Sequence, residues 1–157
     1  MTATLSVTAP GTLSVAVNYL FNYKTQSVPG SVFIENEGTL AQNGQFRYLA
    51  DTNLGYSLGG WTFGLEWRHL PAVANAAKAT TPTTTIQGTD AYDLFNLSAN
   101  WALNRTVSLR LGVDNLLDKD PLVVGYNPGV NNAKGTTSAG YYDILGRRYY
   151  AGVKLDF

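Results

Sequence analysis

Arg148-Tyr149-Tyr150-Ala151-Gly152-Val153-Lys154-Leu155-Asp156-Phe157 is the stretch that decides the fold. Tyr149, Ala151, Val153, Leu155 and Phe157 fall at one parity; Arg148, Tyr150, Gly152, Lys154 and Asp156 fall at the other. Successive side chains of a strand point to opposite sides, so this spelling predicts a strand with one apolar and one polar face. Tyr149 to Phe157 spans about 27 Å at the strand rise. Ordinary strands are shorter, nearer five or six residues.

Working back along the chain, the same alternation recurs. Leu5 and Val7 carry it first. Leu13, Val15, Val17, Tyr19, Phe21 and Tyr23 form the next apolar stripe, with Leu20 the one misfit on the opposite face. Leu54, Tyr56 and Leu58 follow, then Trp61, Phe63, Leu65 and Trp67, then Phe95, Leu97, Ala99 and Trp101, then Val107, Leu109, Leu111 and Val113. The pattern predicts an all-β chain, an antiparallel meander of about seven strands, most of them about nine to thirteen residues long.

The connections alternate in length. Ala9-Pro10-Gly11, Gly59-Gly60 and Leu103-Asn104-Arg105-Thr106 read as tight turns. Between them lie polar stretches over 25–46, 70–91 and 116–141. Compact soluble domains rarely carry three such loops. Transmembrane barrels do, with short periplasmic turns and long extracellular loops.

The aromatic residues favour the membrane reading over a soluble β-sandwich. Several stripes begin and end on a ring and hold aliphatics between, as membrane interfaces select. Tyr19, Phe21, Tyr56, Trp61, Trp67, Phe95, Trp101 and Tyr149 are the expected lipid-facing girdle. Glu66, Arg68, Arg110, Asp114 and Lys154 stand at the opposite parity and are expected to line a hydrated lumen. The competing reading is a soluble β-sandwich module that binds carbohydrate or another ligand through exposed Trp and Tyr. A third is a small barrel closed by self-association.

Composition closes off other classes. The 157 residues carry eleven Lys+Arg against eleven Asp+Glu, a formal net charge of zero, which argues against nucleic acid as a partner. There is no cysteine and one histidine, His69. A lone histidine is expected to be a surface residue. Asp114, Asp118 and Asp120 lack the ligand number and central glycine of a calcium loop, so Asn115 to Pro121 is expected to be a structural corner. Asn96-Leu97-Ser98 and Asn104-Arg105-Thr106 match the glycosylation pattern but fall in or beside strands. No catalytic motif is present, and no cofactor or enzymatic activity is expected.

The last third carries a resemblance to a known family. Tyr92-Asp93-Leu94-Phe95-Asn96-Leu97-Ser98 resembles a strand opening of the TonB-dependent outer-membrane receptors. Leu109-Arg110-Leu111-Gly112-Val113-Asp114-Asn115-Leu116-Leu117-Asp118-Lys119-Asp120-Pro121 and Tyr142-Asp143-Ile144-Leu145-Gly146-Arg147-Arg148, running on to Phe157, are similar to that family's C-terminal barrel. Asn18 to Tyr23 and Trp61 to Arg68 share the style, so the resemblance extends over residues 1–157. It implies a segment of a transmembrane β-barrel in the bacterial outer membrane. It also implies that the complete receptor takes up a scarce nutrient, most often a ferric siderophore, with energy delivered through TonB.

Family members have a twenty-two-stranded barrel, an N-terminal plug, a TonB box and a signal peptide. Met1-Thr2-Ala3-Thr4 carries neither a basic region nor an apolar core, so no signal peptide is expected here. The chain is expected to be the C-terminal third of a receptor. Its implied partners are outer-membrane lipid, the plug and remaining strands, TonB through the missing N-terminal part, and the barrel assembly machinery. In this family a terminal aromatic after alternating apolar residues is similar to the assembly signal, here Tyr149, Val153, Leu155 and Phe157. Phe33, Tyr126 and Asn127 are the loop residues expected to meet a ligand.

Overall fold

The computed structural model describes residues 2–6, 11–26, 28–35, 38–40, 46–75, 88–122, 137 and 140–156. Seven strands form one antiparallel sheet: β1 (Thr2–Ser6), β2 (Gly11–Tyr19), β6 (Tyr48–Leu58), β7 (Trp61–Leu70), β10 (Tyr92–Ala102), β11 (Val107–Asp114) and β12 (Arg148–Leu155), hydrogen-bonded in that order. Each strand pairs with the one before it along the chain, so the sheet is a meander. The sheet is open: among the described residues β1 and β12 do not pair with each other.

The strands beyond β1 run from eight to eleven residues, shorter at the upper end than the alternation suggests. The largest difference is in β2. The alternation extends to Lys24, but the strand ends at Tyr19, and Leu20 donates its N–H to the Arg47 carbonyl at 2.8 Å. Phe21 therefore lies beyond the sheet, 87% exposed, its ring 4.8 Å from that of Tyr19.

The long connections are not bare loops. They carry β3 (Lys24–Thr25) paired with β4 (Ile34–Glu35), and a small sheet of β5 (Thr39–Leu40), β8 (Val73–Asn75) and β9 (Gly88–Thr89). The β5–β8 pair is parallel, an exception to the meander. These elements and the corner after β11 stand at one end of the sheet, with the tight turns at the other. Gly59 and Gly60 both have positive φ, 55° and 85°, which a two-residue hairpin of matching twist requires. At the next turn Asn104 Oδ1 accepts the N–H groups of Thr106 and Val107, each at 2.8 Å.

Register makes the two faces uniform across the sheet. Leu13, Leu54, Leu65, Leu97, Val113 and Tyr149 form one continuous row. Thr12, Gly55, Gly64, Ser98, Gly112 and Tyr150 form a row on the other face. Three of its six residues are glycines, and the side chains of Thr12, Ser98 and Tyr150 in the same row fill the space beside them. A Cβ on Gly64 would come within 2.8 Å of Ser98 Oγ, and one on Gly112 would meet the Tyr150 ring.

The core is small. Among the described residues only Phe46, Leu70, Val73, Tyr92 and Tyr142 are buried hydrophobics, with Leu49, Leu94 and Leu122 packed on them. Leu49, Leu70, Tyr92 and Leu94 belong to the polar parity of their strands, so this cluster sits on the polar face, at the end where the loops fold over it. The misfit Leu20 belongs there too, lining a hollow with Phe46 and Leu49. The broad apolar face has no such cover.

Candidate functional site

The polar face carries an open trough of about 440 Å³. Glu66, Arg68, Arg110, Asp114 and Lys154 all stand on this face. The first two are joined in a relay that crosses the sheet. Arg68 Nε lies 2.9 Å from Asp51 Oδ1 on β6, and its Nη2 lies 3.7 Å from Glu66 Oε1. Asn96 Nδ2 donates to Glu66 Oε2 at 3.0 Å, while Asn96 Oδ1 accepts the Asn115 N–H at 2.9 Å. Asn115 Nδ2 donates to Asp143 Oδ2 at 3.1 Å, and Arg148 Nη1 donates to Asp143 Oδ1 at 2.9 Å. Arg148 also approaches Asp114 at 3.5 Å, which closes the relay on β11.

The other two predicted residues stand apart from it. Arg110 lies over the Tyr150 ring at 5.3 Å. Lys154 pairs locally with Asp156 at 2.8 Å. These arrangements balance charge across the polar face, and among the described residues no activated nucleophile or acid–base pair is aimed into the trough.

The corner after β11 is the most constrained part of the relay. Asn115 is 1% exposed and has φ of 53°, and Asp118 shares that φ. Asparagine tolerates the left-handed region because its short side chain bonds locally. Here Asn115 Oδ1 accepts the Lys119 N–H at 2.7 Å and its Nδ2 donates to the Lys119 carbonyl at 3.0 Å. The Tyr92 hydroxyl donates to that same carbonyl at 3.3 Å, and the Leu116 N–H donates to Phe95 at 2.7 Å. Asp118 Oδ1 accepts the Arg147 N–H at 2.9 Å, tying the corner to the chain entering β12. Asp114, Asp118 and Asp120 are thus not drawn together around a shared centre. Burial alone pushes the Asp143 carboxyl up, but hydrogen bonds from Arg148, the Leu145 N–H and Asn115, with the Arg148 charge, outweigh it and hold the group below its ordinary 3.8.

On the apolar face the rings form two rows. Trp61 and Trp101 oppose each other in register and stack at 4.8 Å, with Phe63 stacked on Trp61 at 5.7 Å. Toward the loop end Trp67 stacks on Phe95 at 6.1 Å. Tyr19, Tyr56 and Tyr149 share this face and are exposed. Val153 and Leu155 are exposed on it as well. His69, expected at the surface, is partnered instead. Its Nδ1 lies 2.8 Å from Asp93 Oδ1 and its Nε2 lies 3.3 Å from the Tyr48 hydroxyl.

Phe33 is 60% exposed, between β3 and β4. Tyr126, Asn127 and Phe157 lie outside the described residues. The sequence reading missed Asp51, Asn96, Asp143 and Arg148 as members of the relay. Two-residue turns fix hairpin register, so Asp51 was reachable by counting outward from Gly59-Gly60 to Arg68. Asp143 had no such signal, because a long connection separates it from Asn115.

No family model matches the chain, and no curated protein matches it. Solved structures do. The ferric enterobactin receptor PfeA from Pseudomonas aeruginosa, in complex with BCV-L6, aligns at a TM-score of 0.69 and 20% identity. The Q482A form of that receptor with enterobactin aligns at 0.69 and 19%. The copper transporter OprC aligns at 0.57 and 19%. Each alignment covers 99% of this chain and 22% of the other, so the chain spans about a fifth of the length of these proteins. At this identity the likeness shows the fold alone: an antiparallel β-meander matching a stretch of these proteins.

Proposed function

We propose that the chain forms part of the β-barrel wall of an outer-membrane receptor for energy-coupled uptake of a scarce nutrient. The observation that carries this reading is the uncovered apolar face. It is continuous across six strands, edged by stacked rings, and exposes Leu54, Phe63, Leu97, Leu111 and Val153. A soluble protein does not leave such a face to water. A sandwich would cover it with a second sheet, and the small sheets here lie at the loop end instead. From Trp61 to His69 is about 27 Å along the strand, or about 21 Å of depth at a tilt near 40°, close to the apolar band of an outer-membrane barrel.

In this reading Tyr19, Tyr56, Trp61, Trp67, Phe95, Trp101 and Tyr149 meet lipid headgroups. Glu66, Arg68, Arg110, Asp114 and Lys154 line the lumen, where the remaining strands and a plug would complete the site. The loop end is extracellular, and Phe33, Tyr126 and Asn127 are its ligand-facing candidates. The segment corresponds to about a fifth of such a receptor, with Tyr149, Val153, Leu155 and Phe157 as the proposed assembly signal. TonB acts through the receptor's N-terminal part. A ferric siderophore is the proposed cargo class, supported by the likeness to a ferric enterobactin receptor.

The tryptophans make the test direct, because all three stand on the apolar face. The chain refolded into vesicles of brominated phosphatidylcholine should lose most of its tryptophan emission. The same chain in bromine-free vesicles should resist quenching by aqueous acrylamide. A chain that stays monomeric and folded in detergent-free buffer, with its emission untouched by brominated lipid, would sink the barrel reading.

A further inference from the structure

Asp93 is the one charged carboxylate that the register puts among the described residues of the apolar face, and it stands at the loop end, beyond the aliphatic belt. Its Oδ1 takes the indole N–H of Trp67 at 2.7 Å and lies 2.8 Å from His69 Nδ1. His69 in turn lies 3.3 Å from the Tyr48 hydroxyl and stacks on the Tyr48 ring at 5.8 Å. Trp67 is held against Phe95. Four polar side chains are therefore fixed by one another on a face that is otherwise apolar.

The cluster is unlike a simple aromatic anchor. A girdle needs amphipathic rings, not a carboxylate. Asp93 remains 43% exposed, and among the described residues its hydrogen bonds from Trp67 and His69 both go to Oδ1. With His69 Nδ1–H on Asp93, Nε2 accepts the Tyr48 O–H, which leaves the Tyr48 oxygen as an acceptor. No lysine or arginine stands at the outward parity among the described residues of the sheet, and Lys119, whose charge reaches Asp93, belongs to the adjoining corner. A carboxylate at the centre disfavours phosphate. Vicinal hydroxyls suit it, because they donate in pairs to a carboxylate, and the C–H face of a sugar ring lies on an indole.

Resting on the barrel reading above, we propose that Asp93, His69, Tyr48 and Trp67 form an outward-facing site for the uncharged saccharide headgroup of an outer-leaflet glycolipid. Asp93 accepts the sugar hydroxyls, the Tyr48 hydroxyl oxygen, whose proton goes to His69 Nε2, is a second acceptor, and Trp67 provides the apolar platform. His69 holds Asp93 and Tyr48 in place.

The test uses the full chain carrying Trp61→Phe and Trp101→Phe, which leaves Trp67 as the single reporter. It is refolded into phosphatidylcholine vesicles containing brominated digalactosyl diacylglycerol, brominated phosphatidylglycerol or brominated phosphatidylcholine at equal mole fraction. Quenching of Trp67 by the galactolipid should exceed that by phosphatidylcholine about fivefold at low mole fraction, as one or two hydrogen bonds to a charged group imply. Asp93→Asn should bring the ratio close to one, and Tyr48→Phe should lower it in a protein whose carboxylate is intact. Equal quenching by the galactolipid and phosphatidylcholine, or a preference for phosphatidylglycerol, overturns the saccharide site. Unmodified chain whose Trp61 and Trp101 escape brominated phosphatidylcholine overturns the barrel reading itself, a result distinct from lost headgroup preference.

Discussion

Replacing Asn115 should open the corner that joins β10, β11 and β12. Its side chain makes three hydrogen bonds: to the Lys119 N–H, the Lys119 carbonyl and Asp143. At about 1 kcal/mol net for each, their loss costs about 3 kcal/mol. Glycine accepts a φ of 53° freely, whereas alanine there adds about 1 kcal/mol. Hydrogen exchange at the Asn115 and Leu116 amides measures the opening. These amides are bonded to Asn96 and Phe95 and not to the deleted group. Asn115→Gly should speed their exchange about 150-fold, and Asn115→Ala about fivefold more, since 1.4 kcal/mol is a factor of ten. Protection within about threefold of the parent, or equal effects of glycine and alanine, would refute the account of the corner as a strained, side-chain-locked turn.

Three further outcomes follow from the same geometry. Asp143 is held below its ordinary 3.8, so the stability it contributes is complete above that value and is lost as pH falls through the lowered folded value; exchange at Leu145, whose amide donates to Asp143, should accelerate across that acid window and lose the pH step in Asp143→Asn. Gly112→Ala should destabilise the sheet by about 1–3 kcal/mol in urea unfolding, because its methyl must displace the Tyr150 ring, whereas Gly152→Ala meets nothing and should stay within about 0.5 kcal/mol of the parent. The Asp51–Arg68 pair is half exposed, so a double-mutant cycle with Asp51→Asn and Arg68→Gln should give a coupling of about 1 kcal/mol or less.

The strands were legible because each one alternates for most of its length and side-chain direction follows parity. What alternation could not show is where parity is overruled. Leu20 reads as an apolar error on a polar face, and Leu49, Leu70, Tyr92 and Leu94 share that face where the loops fold over it. The same loops hold two-residue strands, which no local pattern specifies, because such pairs form only when distant segments meet. The polar relay was half visible. Arg68 and Asp51 share a hairpin whose two glycines fix the register, but Asp143 reaches Asn115 from a connection whose path the spelling does not encode. His69 looked solitary since its partners, Tyr48 and Asp93, belong to neighbouring strands.

The meander has a directional consequence. Seven strands, each antiparallel to the next, leave β1 and β12 running the same way. Copies of this sheet set side by side in a ring would meet in a parallel seam at every junction, where antiparallel barrels have none. An antiparallel seam on both edges at once is supplied by an odd number of additional strands, which makes the total even. The direction of the closing seams is thereby decided by counting: the sheet is matched to a complement unlike itself, and not to its own copies.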